Sequence, residues 1–148
     1  MPTALPRPLA AAVLLALAPA AASALEGPAA RVVDVLGLSD ARYEDDRRNP
    51  DLLGALPTGE PVQVEFSRSG AVEEIEAPGR GDFPAEAVAP LLPAAVRNSP
   101  DWPAEARLWA VDLEDDGAVE IEGMTPDRRP FEAEFAPDGR LLEMSYDD

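Results

Sequence analysis

Four runs in the C-terminal part of the chain alternate apolar and polar residues with a period of two. Leu108 to Leu113 places Trp109, Val111 and Leu113 on one face, and Ala118 to Gly123 places Val119 and Ile121 on the same side. Phe131 to Phe135 adds both Phe residues, and Leu142 to Tyr146 adds Leu142, Met144 and Tyr146. A period of two is that of a strand with one face buried, so the four runs predict a four-stranded antiparallel meander. The turns support this register independently. Asp115-Asp116-Gly117 suits a three-residue loop with Gly in the left-handed position, and Asp138-Gly139 suits a two-residue hairpin. Val111 is then expected to face Ile121, Val119 to face Phe135, and Phe135 to face Leu142, which leaves every apolar side chain on one side.

Short stretches of helical spacing precede this pattern and an earlier, weaker copy of it. Ala29 to Leu36 follows Gly27-Pro28, stops at Gly37 and carries Val32, Val33 and Leu36 on one face. Phe83 to Arg97 is a second candidate, which Pro84 can start and which Pro90 and Pro93 divide into two short pieces. Gly79-Arg80-Gly81 and Asn98 to Pro103 read as linkers or loops. The weaker copy has a polar first strand around Asp40 to Asp45 and a short second one, Leu52 to Leu56.

The two halves are related in sequence. Residues 51–76 lie without a gap on residues 120–145, matching Gly54 with Gly123, Pro57 with Pro126, Pro61 with Pro130, Glu65 with Glu134, Phe66 with Phe135, Gly70 with Gly139 and Glu74 with Glu143. Glu44-Asp45-Asp46 returns as Glu114-Asp115-Asp116 with a one-residue shift. An internal repeat of this length predicts two supersecondary units that share a core. The expected organisation is a signal segment at 1–24, a degenerate first repeat at 25–77, a linker and helical segment at 78–106, and a second meander at 107–148.

The signal segment has one early cation, Arg7, an apolar run from Leu9 to Leu17 and a small-residue close at Ala22-Ser23-Ala24. The run is shorter than the roughly 20 residues a membrane span needs and is followed by Pro19, so it reads as a secretory signal cut before Leu25. No transmembrane segment is expected after cleavage.

Composition narrows the chemistry. The chain has 148 residues, 29 Asp plus Glu against 12 basic residues, and a formal charge of −17 that becomes −18 once Arg7 is removed. All the cations are Arg, because the sequence has no Lys, His or Cys. That removes imidazole bases, thiol nucleophiles, disulfides, thiolate metal sites and Schiff-base lysines. It also argues against nucleic acid, whose phosphates are bound by clustered cations. Export without Cys fits a bacterial envelope, periplasmic or secreted. Paired carboxylates alone do not make an enzyme in a short two-repeat sheet with no obvious cleft, and no catalytic residue is assigned.

The order of helix then four-strand meander, with the closing pattern at Phe135, Asp138, Gly139 and Leu141, resembles the PepSY and PepSY-like domains of bacterial envelope proteins. The stretch Val35 to Tyr43 is similar to the helix-to-strand junction of such domains. The resemblance implies an α+β fold of two helix-plus-antiparallel-meander repeats, with helices packed on one face of the sheet. It implies non-enzymatic binding of a protein or ligand, often inhibitory toward a secreted hydrolase.

The same register gathers acids on the polar side. Asp112 is expected to face Glu120, Glu120 to face Glu134, and Glu134 to face Glu143; Glu122 faces Glu132, and Glu132 faces Ser145. Glu65 opposite Glu74 echoes this in the first copy. Like charges directly opposite across strands destabilise, so such a row suggests a surface kept for docking a basic protein or peptide. Trp102, between Asp101 and Pro103, is expected to be partly exposed and to join the contact, whereas Trp109 is expected in the core with Val111 and Leu113. The alternative is a carboxylate calcium site. Asp112-x-Glu114-x-Asp116-Gly117 begins like a calcium loop, but Gly123 stands where the closing Glu belongs. Arg80-Gly81-Asp82 spells an adhesion tripeptide in a Gly-rich linker, with no further signal behind it.

Overall fold

The computed structural model describes residues 25–45 and 50–147. The segment 1–24 and Asp46 of the first acidic triplet lie outside them. Among the described residues no helix is long and apolar enough to cross a membrane.

The first helix, α1, spans Gly27–Leu36. Pro28 supplies a preset φ in the first turn, where its missing N–H has no helical partner to lose. Gly37 ends the helix in the left-handed conformation (φ 66°), and its N–H returns to the Val33 carbonyl. The Leu38 N–H donates to the same oxygen at 3.0 Å, so orphan helix-end groups are satisfied within the motif. Ala29, Val32 and Leu36 form the buried face.

The strands are β1 Ser39–Asp45, β2 Pro50–Ala55, β3 Pro61–Phe66, β4 Val72–Glu76, β5 Phe83–Pro84, β6 Arg107–Leu113, β7 Val119–Met124, β8 Pro130–Phe135 and β9 Leu141–Tyr146. They form one sheet in the order β1-β2-β3-β4-β6-β7-β8-β9, with β5 pairing β6 beside this path. Every pairing is antiparallel, and β4 joins β6 through Glu74, Ile75 and Glu76 opposite Asp112, Val111 and Ala110. One core row crosses the sheet: Leu52, Val64, Ile75, Val111, Ile121 and Ala133 are successive cross-strand neighbours, and none is more than 1% exposed.

This layout corrects the expected α+β arrangement of two helix-plus-meander repeats. The protein is mostly a single antiparallel sheet, with three short helices among the described residues. The second helical candidate accounts for the difference. Phe83 and Pro84 are extended and pair with Leu108 and Arg107 as β5. Beyond Pro84 the chain forms two four-residue helices, α2 Ala85–Val88 and α3 Ala94–Arg97, separated by a 3₁₀ turn at Ala89–Leu91. The division into two short pieces at Pro90 and Pro93 is as the sequence predicts, since each lacks the N–H a continuing helix needs and crowds the preceding turn. Among the described residues no second helix is as long as α1, and buried residues from both halves share one core cluster.

Two local phases also differ from the sequence pattern. The β6–β7 register shifts between Leu108 and Ala110. Leu108 therefore enters the core at 0% exposure, while Trp109 is only half-buried. At the last hairpin Phe135 faces Leu141, with Leu142 as the extra residue. The loop is three residues long rather than two, because Gly139 (φ 85°) takes the left-handed position and its N–H bonds the Ala136 carbonyl at 2.8 Å.

Candidate functional site

A strand that buries every second residue turns the residues between them to the opposite face. In six successive strands of the sheet order, β2 to β8, a carboxylate is the chain neighbour of the core-row residue: Asp51, Glu65, Glu74, Asp112, Glu120 and Glu134. The pairing aligns them with one more acid at each end. Glu44 faces Asp51, Asp51 faces Glu65, Glu65 faces Glu74, Glu74 faces Asp112, Asp112 faces Glu120, Glu120 faces Glu134 and Glu134 faces Glu143. Eight carboxylates thus form one unbroken row at right angles to the strands. At a strand spacing near 4.8 Å the row is about 34 Å long. Its ends, Glu44 and Glu143, are exposed and the six between them are half-buried.

A second row lies beside it. Gln63 faces Glu76, Glu76 faces Ala110, Ala110 faces Glu122, Glu122 faces Glu132 and Glu132 faces Ser145. The Gln63 amide donates to Asp51 Oδ2 at 3.3 Å, and the Trp109 indole N–H donates to Glu122 Oε2 at 2.9 Å.

All the acids singled out in the sequence therefore share one face: Asp112, Glu120, Glu134 and Glu143 in the first row with Glu65 and Glu74, and Glu122 and Glu132 in the second. The β4–β6 seam joins the two halves into one row, which the separate hairpins do not specify. Sequence reasoning alone does not single out Asp51 and Glu44. The available signal is that Asp51 precedes the buried Leu52 and aligns with Glu120 in the repeat.

Both tryptophans depart from expectation, Trp102 being the more deeply buried of the two and Trp109 packing against the core while only half-buried. Trp102 is buried at 8% exposure, its ring tilted 51° against Phe135 with centroids 6.1 Å apart, and its indole N–H donates to Glu86 Oε1 at 3.2 Å. It is not on the acidic face, because the segment before it turns back through a Trp102 N–H bond to the Ser99 carbonyl at 3.1 Å. Trp109 is the aromatic that reaches an acid of the polar face.

Burial and charge repulsion together raise the proton affinity of three members of the row, Glu74, Asp112 and Glu120. Glu74 is pushed up from 4.5 to about 7, first by burial and then by Asp112, Glu65, Glu76 and Asp51. Asp112 is raised by burial, Glu122, Glu114 and Glu65, and Glu120 by burial, Glu132, Asp112, Glu122 and Glu134. Raised carboxyl values mean that the folded state takes up protons before the unfolded chain does. Their contribution is least favourable above about pH 8, where both states are ionised, and becomes more favourable as pH falls through 7 toward 4.5. The full shift at Glu74 corresponds to about 3 kcal/mol; solvent screening of a half-buried group reduces this to about 1–2 kcal/mol. Urea unfolding at pH 8 and pH 6 is expected to show the more stable protein at pH 6, and Glu74→Gln is expected to stabilise at pH 8 and flatten the profile. Stability that falls between pH 8 and pH 6 would show that the row does not carry this repulsion.

Among the described residues, no group of three or more acids is arranged to hold a metal ion. The calcium-like stretch is divided by the hairpin: Asp112 faces Glu120 on the sheet, whereas Asp116 Oδ1 accepts from the Ala118 N–H at 3.0 Å in the turn. The adhesion-like tripeptide is also tied down. The Asp82 carboxylate accepts from Arg107 Nε at 2.8 Å and Nη2 at 2.6 Å, and the same guanidinium reaches Glu60 Oε1 at 2.8 Å. Thr58 and Arg107 hold the Glu60 carboxyl below its ordinary range.

No family model matches the chain, and neither a curated protein nor a solved structure matches it.

Proposed function

We propose that this protein is an exported, non-enzymatic binding or inhibitory module of the bacterial envelope that docks a basic protein or peptide on its acidic sheet face. The observation that carries this reading is the unbroken row from Glu44 to Glu143. Each like-charged neighbour pair costs some tenths of a kcal/mol, and a solvated surface needs only mixed charge to stay soluble. A partner whose cations meet the row removes that cost on binding. The long-range field of a chain carrying −17 also steers such a partner toward the face.

The test is a capture from envelope extract with the chain from Leu25 onward at about 20 mM and 500 mM salt, followed by binding kinetics on the captured protein. The association rate is expected to fall by roughly ten- to a hundredfold over that range. Glu134→Ala with Glu143→Ala is expected to slow association at low salt with little change in the folded state. A partner bound equally well by the double variant at low salt would sink the proposal.

A further inference from the structure

The strand order ends at β9, and among the described residues no strand pairs with its outer side. The direction of its backbone groups follows from the pairing. The Asp147 N–H donates to the Pro130 carbonyl at 3.2 Å. Antiparallel alternation then turns the amides and carbonyls of Ser145 and Glu143 toward β8 and those of Met144 and Tyr146 outward. Such an edge is a template for another strand unless Lys, Pro, an inward charge or a bulge blunts it. β9 contains no Lys or Pro. Its bulge, at Leu142, lies beside the hairpin and leaves Glu143 to Tyr146 in regular register.

The two sides of this edge differ in chemistry. Met144 and Tyr146 stand opposite Ala133 and Phe131, on the side that carries the core. Tyr146 is 42% exposed and Leu142 49% exposed, two of the four large apolar residues exposed among the described residues, the others being Val35 and Tyr43. The Arg129 guanidinium lies 4.3 Å from the Tyr146 ring centroid, and the Tyr146 hydroxyl donates to Met144 Sδ at 2.9 Å. On the other side Glu143 and Asp147 are exposed acids with Ser145 between them. Glu143 is also the last member of the carboxylate row, so an added strand places its next residue about 5 Å away, directly in line with the row.

We propose that β9 is a docking edge that accepts an extended segment of a partner as an added antiparallel strand, the segment alternating basic and apolar residues. Its basic side chains meet Glu143 and Asp147, its apolar side chains cover Met144 and Tyr146, and main-chain hydrogen bonds to the outward groups of β9 supply the remaining affinity. A second copy of this chain is the disfavoured occupant, because it would bring two row ends and two charges of −17 together. The edge shares Glu143 with the acidic face, but what it offers a partner is the main chain of β9, which that face does not.

The test uses a capped seven-residue peptide of alternating arginine and valine, with hydrogen exchange of the protein amides as the readout. The peptide is expected to bind and to protect the Met144 and Tyr146 amides. N-methylation of its valines, whose amides point at β9 in this register, is expected to weaken binding at least about tenfold, whereas N-methylation of its arginines leaves binding within about threefold. Binding without protection at Met144 and Tyr146, or equal binding of the valine-methylated peptide, overturns the edge proposal and leaves docking on the acidic face standing. Equal binding of a glutamate–valine peptide, no binding at all, or amides already protected in a dimer of the free protein also overturns it.

Discussion

Phe135→Ala is expected to destabilise the protein by about 3–5 kcal/mol, the range for truncating a fully buried Phe. Phe135 has 0% exposure and sits between Val119 on β7 and Leu141 on β9, with the Trp102 ring packed against it. Removing the ring leaves a void between β7, β9 and the Trp102 ring, and the backbone hydrogen bonds of the sheet let it collapse only in part. Against a total stability of roughly 5–15 kcal/mol, the loss is a large fraction. Its consequence reaches the acidic face, because Glu134 is the chain neighbour of Phe135 and β9 is held to the sheet by β8 alone. Urea unfolding followed by tryptophan fluorescence measures the loss directly, and Trp102 reports on the void. Phe135→Leu is expected to recover more than half of it. A loss below about 1 kcal/mol for the alanine variant would mean that Phe135 does not anchor the last hairpin.

Gly139→Ala is expected to cost about 3 kcal/mol or more, for two separate reasons. Gly139 has φ 85°, which a residue with a Cβ adopts at a cost of about 1 kcal/mol. An added Cβ also meets the Ala95 carbonyl oxygen and lies 2.7 Å from the Ala95 carbonyl carbon, backbone atoms of α3 that cannot rotate away. Overpacking against backbone adds about 1–3 kcal/mol. Gly70, its counterpart in the repeat, has φ 85° as well, and its Cβ would lie 2.6 Å from Pro28 Cγ on α1. Each turn glycine thus marks a hairpin tip pressed onto a helix. Thermal unfolding of Gly139→Ala beside Gly59→Ala separates the two costs, because nothing lies within 4 Å of a Cβ at Gly59 although its φ is 98°. Equal losses at the two sites would remove the contact with α3 from the account.

These two positions are legible in the sequence for different reasons. Phe135 stands out by its alternation with Glu134 and Ala133, and Gly139 by its place in a turn. The contact between Gly139 and Ala95 is not legible, since it depends on how the segment broken by Pro90 and Pro93 folds over the sheet. The same distinction explains the tryptophans. A strict period of two places Trp109 with Val111, but one inserted residue at the β6 bulge reverses the side, and no local signal marks the insertion. Trp102 lies in a Pro-rich stretch that reads as a surface loop, and only tertiary packing, on Phe135 among others, buries it. The helix-plus-meander reading fails at a comparable point. Helical spacing from Phe83 onward is real, yet Phe83 and Pro84 gain strand pairing with β6 and the later prolines stop the rest.

What the sequence determined by itself is which residues face apart. Period two is a local property of extended backbone, so Leu52, Val64, Ile75, Val111 and Ile121 had to oppose Asp51, Glu65, Glu74, Asp112 and Glu120 wherever those strands formed. The hairpin turns then set the register within each half, and with it the pairs Glu65–Glu74 and Glu120–Glu134. Only the tertiary structure decided that these short acidic stretches are one row. That required β4 to pair with β6 across an intervening segment, matching Glu74 to Asp112 through contacts between residues distant in sequence. It also decided where the sheet ends, and so left the backbone of β9 turned outward. Pairing between distant strands is selected by the burial of a shared core, Ile75 on Val111, which no local pattern encodes.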